Sequence, residues 1–127
     1  MPYMKYGNRK VQFNGIIFDS LKERDRYIDL TILLKAGKIK NLQLQTPFTL
    51  IPTQYEESTE IYKSGPNKGK PKPGKVIERS CVYNADFTYY TADGDYVVED
   101  TKGLKTKEYR IKKKLMLYVH GIRIVEL

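Results

Sequence analysis

Asp100, Thr101 and Lys102 end the stretch Tyr-Val-Val-Glu-Asp-Thr-Lys-Gly (96–103), an apolar run closing in acid, spacer and base. A second acid, Asp86, stands in Tyr-Asn-Ala-Asp-Phe, on the extended segment just before it. Two carboxylates held side by side repel each other, and a divalent cation reverses the sign of that energy. Mg²⁺ or Mn²⁺ takes oxygen ligands, keeps several waters and lowers the pKa of one of them, which can then attack a phosphodiester. Lys102 beside such a pair can orient that water or neutralise charge building on a phosphate. The chemistry these residue types suit is metal-assisted phosphodiester hydrolysis, with Asp86 and Asp100 on the metal and Lys102 on the nucleophile or phosphate.

The elements must bring them together. Side chains alternate along a strand, so Asp100 and Lys102 share one face and Glu99 points away. Whether Asp86 meets Asp100 depends on the turn at Thr-Ala-Asp-Gly-Asp. A two-residue Asp93-Gly94 loop pairs Ala92 with Asp95 and puts Asp86 on the face shared by Glu99 and Thr101. A three-residue loop, Ala92-Asp93-Gly94, pairs Thr91 with Asp95 and sets Asp86 opposite Asp100. The longer loop needs a left-handed residue at its end, which Gly94 supplies, and it is the one expected. Glu23 is a further candidate. It shares a helical stripe with Tyr27, Leu30 and Leu34, yet with Ser20 it also forms a capping box. A second stripe, Leu21, Ile28 and Ile32, leaves open which side of that helix faces the sheet.

The rest of the chain reads as alternating elements. Residues 8–19 form a hairpin about Asn14-Gly15, and a helix covers 21–36 with Gly37 as its stop. A strand follows, broken or bulged near Pro47, then a polar extended piece at 53–63. Residues 63–75, rich in Gly, Pro and Lys, read as a mobile basic loop carrying Lys68, Lys70 and Lys72. Residues 76–90 form a strand, the Asp100 strand comes next, and a helix capped by Thr106 runs to Gly121. Its buried stripe is expected at Ile111, Leu115 and Tyr118. The chain finishes in a short strand.

Composition narrows the classes. A length of 127 residues suggests one domain, 1–127. The single cysteine, Cys81, excludes an internal disulfide, and with one histidine, His120, it excludes a tetrahedral Cys/His zinc site. No stretch resembles a signal peptide or could span a bilayer, so a cytoplasmic protein is expected. The net charge of +8 favours a polyanionic partner. Lys105, Lys107, Arg110, Lys113 and Lys114 crowd the last helix directly after Lys102 and form a candidate nucleic-acid surface.

Asp86 and Asp100-Thr101-Lys102 in this setting resemble the signature of the PD-(D/E)XK nuclease superfamily. Phe-Asp-Ser-Leu-Lys-Glu-Arg onward through Thr-Pro-Phe-Thr-Leu-Ile-Pro, and Tyr-Arg-Ile-Lys-Lys-Lys-Leu, are similar to a phage-encoded group of mostly unknown function within it. The chain departs from the usual pattern in Ala85 before Asp86, and in Asp100 where glutamate is commoner. The resemblance implies an α/β (α+β), restriction-endonuclease-like core: a mixed central sheet flanked by two helices, with an N-terminal hairpin and a basic hairpin insertion. It implies Glu23 as a fourth site residue and Gln45 as possible support. It also implies a Mg²⁺- or Mn²⁺-dependent DNA endonuclease, structure-selective for branched DNA, Holliday junctions or flaps, and a possible homodimer. The rival expectation is a non-catalytic nucleic-acid-binding module.

Overall fold

A computed structural model describes residues 10–127. Residues 8 and 9 of the expected hairpin lie outside the described residues. The chain order is β1 (Val11–Phe13), β2 (Ile16–Phe18), α1 (Leu21–Lys35), β3 (Ile39–Ile51), β4 (Gln54–Tyr55), β5 (Val76–Glu78), β6 (Cys81–Thr91), β7 (Tyr96–Asp100), α2 (Lys107–His120) and β8 (Val125–Glu126). The central sheet has four strands in the order β3-β6-β7-β8. Its first three strands are antiparallel, and β8 runs parallel to β7 after the α2 crossover. This is a mixed α+β architecture with a helix on each face of the sheet.

Local chemistry sets the ends of both helices. Ser20 Oγ accepts the Glu23 amide of α1 at 3.1 Å, and Thr106 Oγ1 accepts the Tyr109 amide of α2 at 3.1 Å. Gly121 ends α2 in the left-handed region, its amide donating to the Leu117 carbonyl. The α1 side of the sheet holds Phe18, Leu30, Ile39, Phe87 and Tyr89. Tyr27 lies over Phe18 and Phe87 with ring centroids 5.2 and 6.5 Å away. The stripe from Glu23 through Leu30 therefore faces the sheet, while Leu21 and Ile32 stay exposed. The β1–β2 hairpin adds Phe13 and Phe18 to the same core and leaves those two residues uncovered.

On the other face, α2 buries Tyr109 and Met116 against Leu50, Tyr83, Ala85, Val98 and Ile124. The expected stripe is corrected here: Leu115 is partly buried, but Ile111 is 58% and Tyr118 87% exposed. Residues 115–119 are apolar on every side, so their pattern fixes no face. Tyr109 and Met116, seven apart and hence in line along the helix, decide it.

A further correction concerns the strands. The long segment at 76–90 divides, because Val76–Glu78 pairs with Gln54–Tyr55 in a separate ribbon while Cys81 starts the central strand. The basic segment 63–75 caps that ribbon as a hydrogen-bonded hairpin arm, with Tyr62 and Gly69 amides donating to the Lys70 and Tyr62 carbonyls. Gly74 is required there, since a Cβ would stand 2.3 Å from the Glu56 carbonyl oxygen. Strand β3 continues through Pro47, which an edge strand tolerates, and the irregularities expected near it fall on either side, at Gln45 and between Thr49 and Ile51.

One of them positions the site. Val97 and Val98 are adjacent and so point to opposite faces, Val97 to the α1 core and Val98 to the α2 core. Ala85 and Phe87 should share a face, yet Ala85 packs with Val98 and Phe87 with the α1 core. Strand β3 behaves alike: Leu42 and Leu44 face α1, whereas Phe48 and Leu50 face α2. The pairs Leu44↔Phe87 and Thr46↔Ala85 bracket the crossing, which places it at Gln45 and Asp86. Gln45 sits at φ +51°, a left-handed conformation costing a non-glycine residue about 1 kcal/mol. The kink lets one pair of strands feed both cores and leaves two polar side chains at the point of crossing.

Candidate functional site

The turn between β6 and β7 is the three-residue loop. The Thr91 amide donates to the Asp95 carbonyl at 2.8 Å, the Gly94 amide to the Thr91 carbonyl at 3.0 Å, and Gly94 has φ +92°. The ladder runs from Tyr90↔Tyr96 to Phe87↔Glu99 and stops there. Asp86 comes level with Asp100 in count, but the two are not a flat cross-strand pair. At the crossing Asp86 turns its carboxylate to the chain just beyond Asp100: Oδ2 accepts the Thr101 amide and the Thr101 hydroxyl, both at 2.8 Å. Asp100 accepts the Lys102 amide on Oδ1 at 2.8 Å and the Tyr83 hydroxyl on Oδ2 at 2.7 Å. Lys102 Nζ lies 3.6 Å from Asp100 Oδ2 and 5.4 Å above the Tyr109 ring.

Glu23 joins from α1. Its Oε2 accepts the Asp19 amide at 3.3 Å, so it caps the residue before the N-cap and does not close the reciprocal capping box on Ser20. Its Oε1 faces the Gln45 amide group at 3.3 Å, and the same Nε2 reaches Asp86 Oδ1 at 3.3 Å. Gln45 thus spans two carboxylates, and Glu23 is both cap and site residue. The Glu23 side chain is 5% exposed. Burial first, and the charge of Asp86 second, raise its pKa from 4.5 to about 7. Burial and the bond to Asp100 push the Tyr83 hydroxyl well above its ordinary pKa, which keeps it a donor.

Two adjoining hollows open on these groups. One, of about 270 Å³, is lined by Asp19, Glu23, Asp86, Thr101 and Lys102 among others. The second, of about 250 Å³, is lined by Gln45, Tyr83, Asp86, Lys102 and Tyr109 among others. Asp86 and Lys102 belong to both. Asp100, 1% exposed, lies behind them. No three carboxylate, histidine or cysteine side chains among the described residues stand close enough to form a ready-made cation cage. A hard cation such as Mg²⁺ does not require one, because one or two carboxylates together with waters and substrate oxygens suffice. The donors here are all oxygens and suit such an ion.

The structure therefore gathers Glu23, Gln45, Asp86, Asp100 and Lys102. It places the expected basic surface elsewhere. Lys105, Arg110, Lys113 and Lys114 line a separate groove, Lys107 is exposed on the first turn of α2, and Lys68, Lys70 and Lys72 lie on the exposed hairpin arm. None of these lines either acidic hollow. The only α2 lysine to do so is Lys112, tied to Glu108 at 3.1 Å. The sequence pattern missed three residues that hold the site: Thr101, which had been only a spacer, and Tyr83 and Tyr109. A buried tyrosine needs a partner for its hydroxyl, and that need was the available signal. On the α1 side, Glu99 accepts Arg26 Nε and Nη2 at 2.8 and 2.7 Å and also the Tyr89 hydroxyl. His120 is structural, its Nε2 2.8 Å from the Thr49 carbonyl oxygen.

Two helices on opposite faces of a mixed sheet, with acids and a lysine gathered where the strands change faces, define the class of this protein. The chain belongs to the family described as Protein of unknown function (DUF1064), whose profile matches residues 3–123. No curated protein and no solved structure matches it. No helix among the described residues is long and apolar enough to cross a membrane.

Proposed function

We propose that the chain is a divalent-cation-dependent nuclease of the PD-(D/E)XK kind, with a restriction-endonuclease-like core, acting on DNA. The observation that carries this is that Glu23 of α1, Asp86 of β6 and Lys102 of the loop after β7 line two adjoining hollows, with Asp100 of β7 buried behind them and 3.6 Å from Lys102 Nζ. Like charges at this density destabilise a fold unless something of opposite sign is bound there. Asp86 and Asp100 would hold Mg²⁺ or Mn²⁺, with Glu23 beside them. When bound, the cation supplies Lewis-acid charge to a phosphate and lowers the pKa of water.

The chain's own groups do the remaining work. Thr101 fixes Asp86 through two hydrogen bonds to one oxygen, leaving Oδ1 towards Gln45 and the hollow. Tyr83 and the Lys102 amide fix Asp100. Lys102, held between Asp100 and the Tyr109 ring, presents its ammonium to a phosphate or to the attacking water. Without a cation, burial and Asp86 raise the Glu23 pKa to about 7, and a cation bound beside it would favour its ionised form as a further oxygen donor or a base. Selection by DNA structure (branches, flaps or junctions) goes with the proposal, and a homodimer would set two such sites on two strands.

The test is cleavage of labelled forked, single-stranded and duplex DNA with Mg²⁺, with Mn²⁺ and with chelator. The wild-type protein should cut only with a divalent ion. Asp100→Asn and Lys102→Ala should each lose at least about 100-fold in rate, the scale expected of a residue that stabilises transition-state charge. Cation-independent binding with no cleavage would support the rival, a binding module without catalysis.

A further inference from the structure

A hollow of about 700 Å³ lies apart from the acidic cluster, between α2 and the C-terminal segment. Its rim carries Lys105, Arg110, Lys113, Lys114 and Arg123, and its floor is aliphatic, from Leu117, Ile122 and Ile124. The one acid there, Glu126, is already engaged by the Tyr109 hydroxyl at 3.0 Å, by Lys105 at 3.3 Å and by Lys113. Arg110, Lys114 and Arg123 make no ion pair among the described residues, so the groove keeps a net positive charge on both walls.

Continuity with the acidic site indicates what fits. Tyr109 is a wall common to this groove and to one acidic hollow. The loop that leaves β7 carries Lys102 to the hollows and Lys105 to the groove. A ligand that follows this track meets cations at intervals on both sides of Tyr109, so it is a chain of repeating anions. The aliphatic floor adds a second demand. A paired duplex offers a groove its phosphates, whereas an unpaired strand also offers sugar and base faces to apolar surface.

We propose that the groove between α2 and the C-terminal segment seats an unpaired nucleic-acid strand, its phosphates on Arg110, Lys114 and Arg123 and its sugars and bases on Leu117, Ile122 and Ile124. This rests on the nuclease proposal for its partner class and deepens it: the substrate is one with a single-stranded arm beside the cut phosphate.

The experiment is fluorescence anisotropy of labelled oligothymidylate, and of a blunt duplex of equal length, in chelator across a salt series, with polyglutamate as competitor. The proteins are wild type, Arg110→Ala/Lys114→Ala, Arg123→Glu, and Lys35→Ala/Lys38→Ala as a control of equal charge loss. Every altered side chain is solvent-exposed. Wild type should prefer the single strand, and each released phosphate contact should remove about 0.7 from its log–log salt slope, so the double groove variant should lose about 1.4 and bind at least about tenfold more weakly. Arg123→Glu should weaken binding too, and the control should match wild type. An unchanged slope in both groove variants, or equal affinity for duplex, overturns the proposal. Displacement by polyglutamate at matched charge overturns it in favour of an acidic-peptide site. Because chelator is present, cleavage plays no part. Groove binding without any cation-dependent cleavage would sink the nuclease proposal alone, and cleavage with no groove effect would sink this one alone.

Discussion

Replacing Glu23 by Gln should stabilise the fold above neutral pH. The carboxyl is 5% exposed and shares Gln45 with Asp86. Its pKa rises from 4.5 in the unfolded chain to about 7 in the folded one. Between those values the native state holds the proton more tightly, so this group's contribution is fully present below about pH 4.5 and is lost as pH rises to about 7. At about 1.4 kcal/mol for each pH unit of displacement, the ionised group costs the native state roughly 3 kcal/mol in alkaline solution. Glutamine keeps an oxygen for the Asp19 amide but brings its own amide group towards Gln45, which takes back part of the gain. A net stabilisation of about 2 kcal/mol at pH 8, shrinking to near zero at pH 4, is the expected outcome. Urea unfolding of both proteins across that range measures it. A difference independent of pH would refute the electrostatic account of Glu23, and destabilisation at pH 8 would show that its hydrogen bonds outweigh its charge.

Gln45 tests the strand crossing: because the position has φ +51°, Gln45→Gly should be about 1 kcal/mol more stable than Gln45→Ala, and equal urea midpoints would mean the kink is not what the residue is selected to tolerate. Glu99→Ala should cost about 1–3 kcal/mol, since it leaves the buried Tyr89 hydroxyl without its acceptor and releases the partly exposed Arg26 guanidinium; a loss below about 0.5 kcal/mol in thermal unfolding would show that α1 is seated without that ion pair.

Local signals were legible in the sequence and non-local ones were not. Ser20 and Thr106 act within a few residues of themselves, so both helix starts could be worked out from cap chemistry, whereas turn chemistry allowed two β6–β7 registers and the one expected for bringing the acids together is the one found. Glu23 was ambiguous because a glutamate three residues after a serine serves a cap and a site equally well; only tertiary contact with Gln45 separates the roles. The crossing at Gln45 showed only as an irregularity expected near Pro47; its residue and its change of face were hidden, since a glutamine in the left-handed region looks like any other polar strand residue. The resulting turn of Asp86 towards Thr101 was therefore hidden as well. The cationic run of α2 was visible, but its direction was not. Which side of that helix meets the sheet depends on Tyr109 and Met116 finding the α2 core, and that choice carries Arg110 and Lys114 away from the acids and into the groove.

The central claim is that Asp86 and Asp100 share a divalent cation. A crystal soaked in Mn²⁺ and measured for anomalous scattering tests this most directly. The account predicts a single strong peak within coordination distance, about 2.1 Å, of a carboxylate oxygen of each aspartate, at the hollow shared with Lys102. An empty site at saturating Mn²⁺, or a peak that touches neither aspartate, would contradict it.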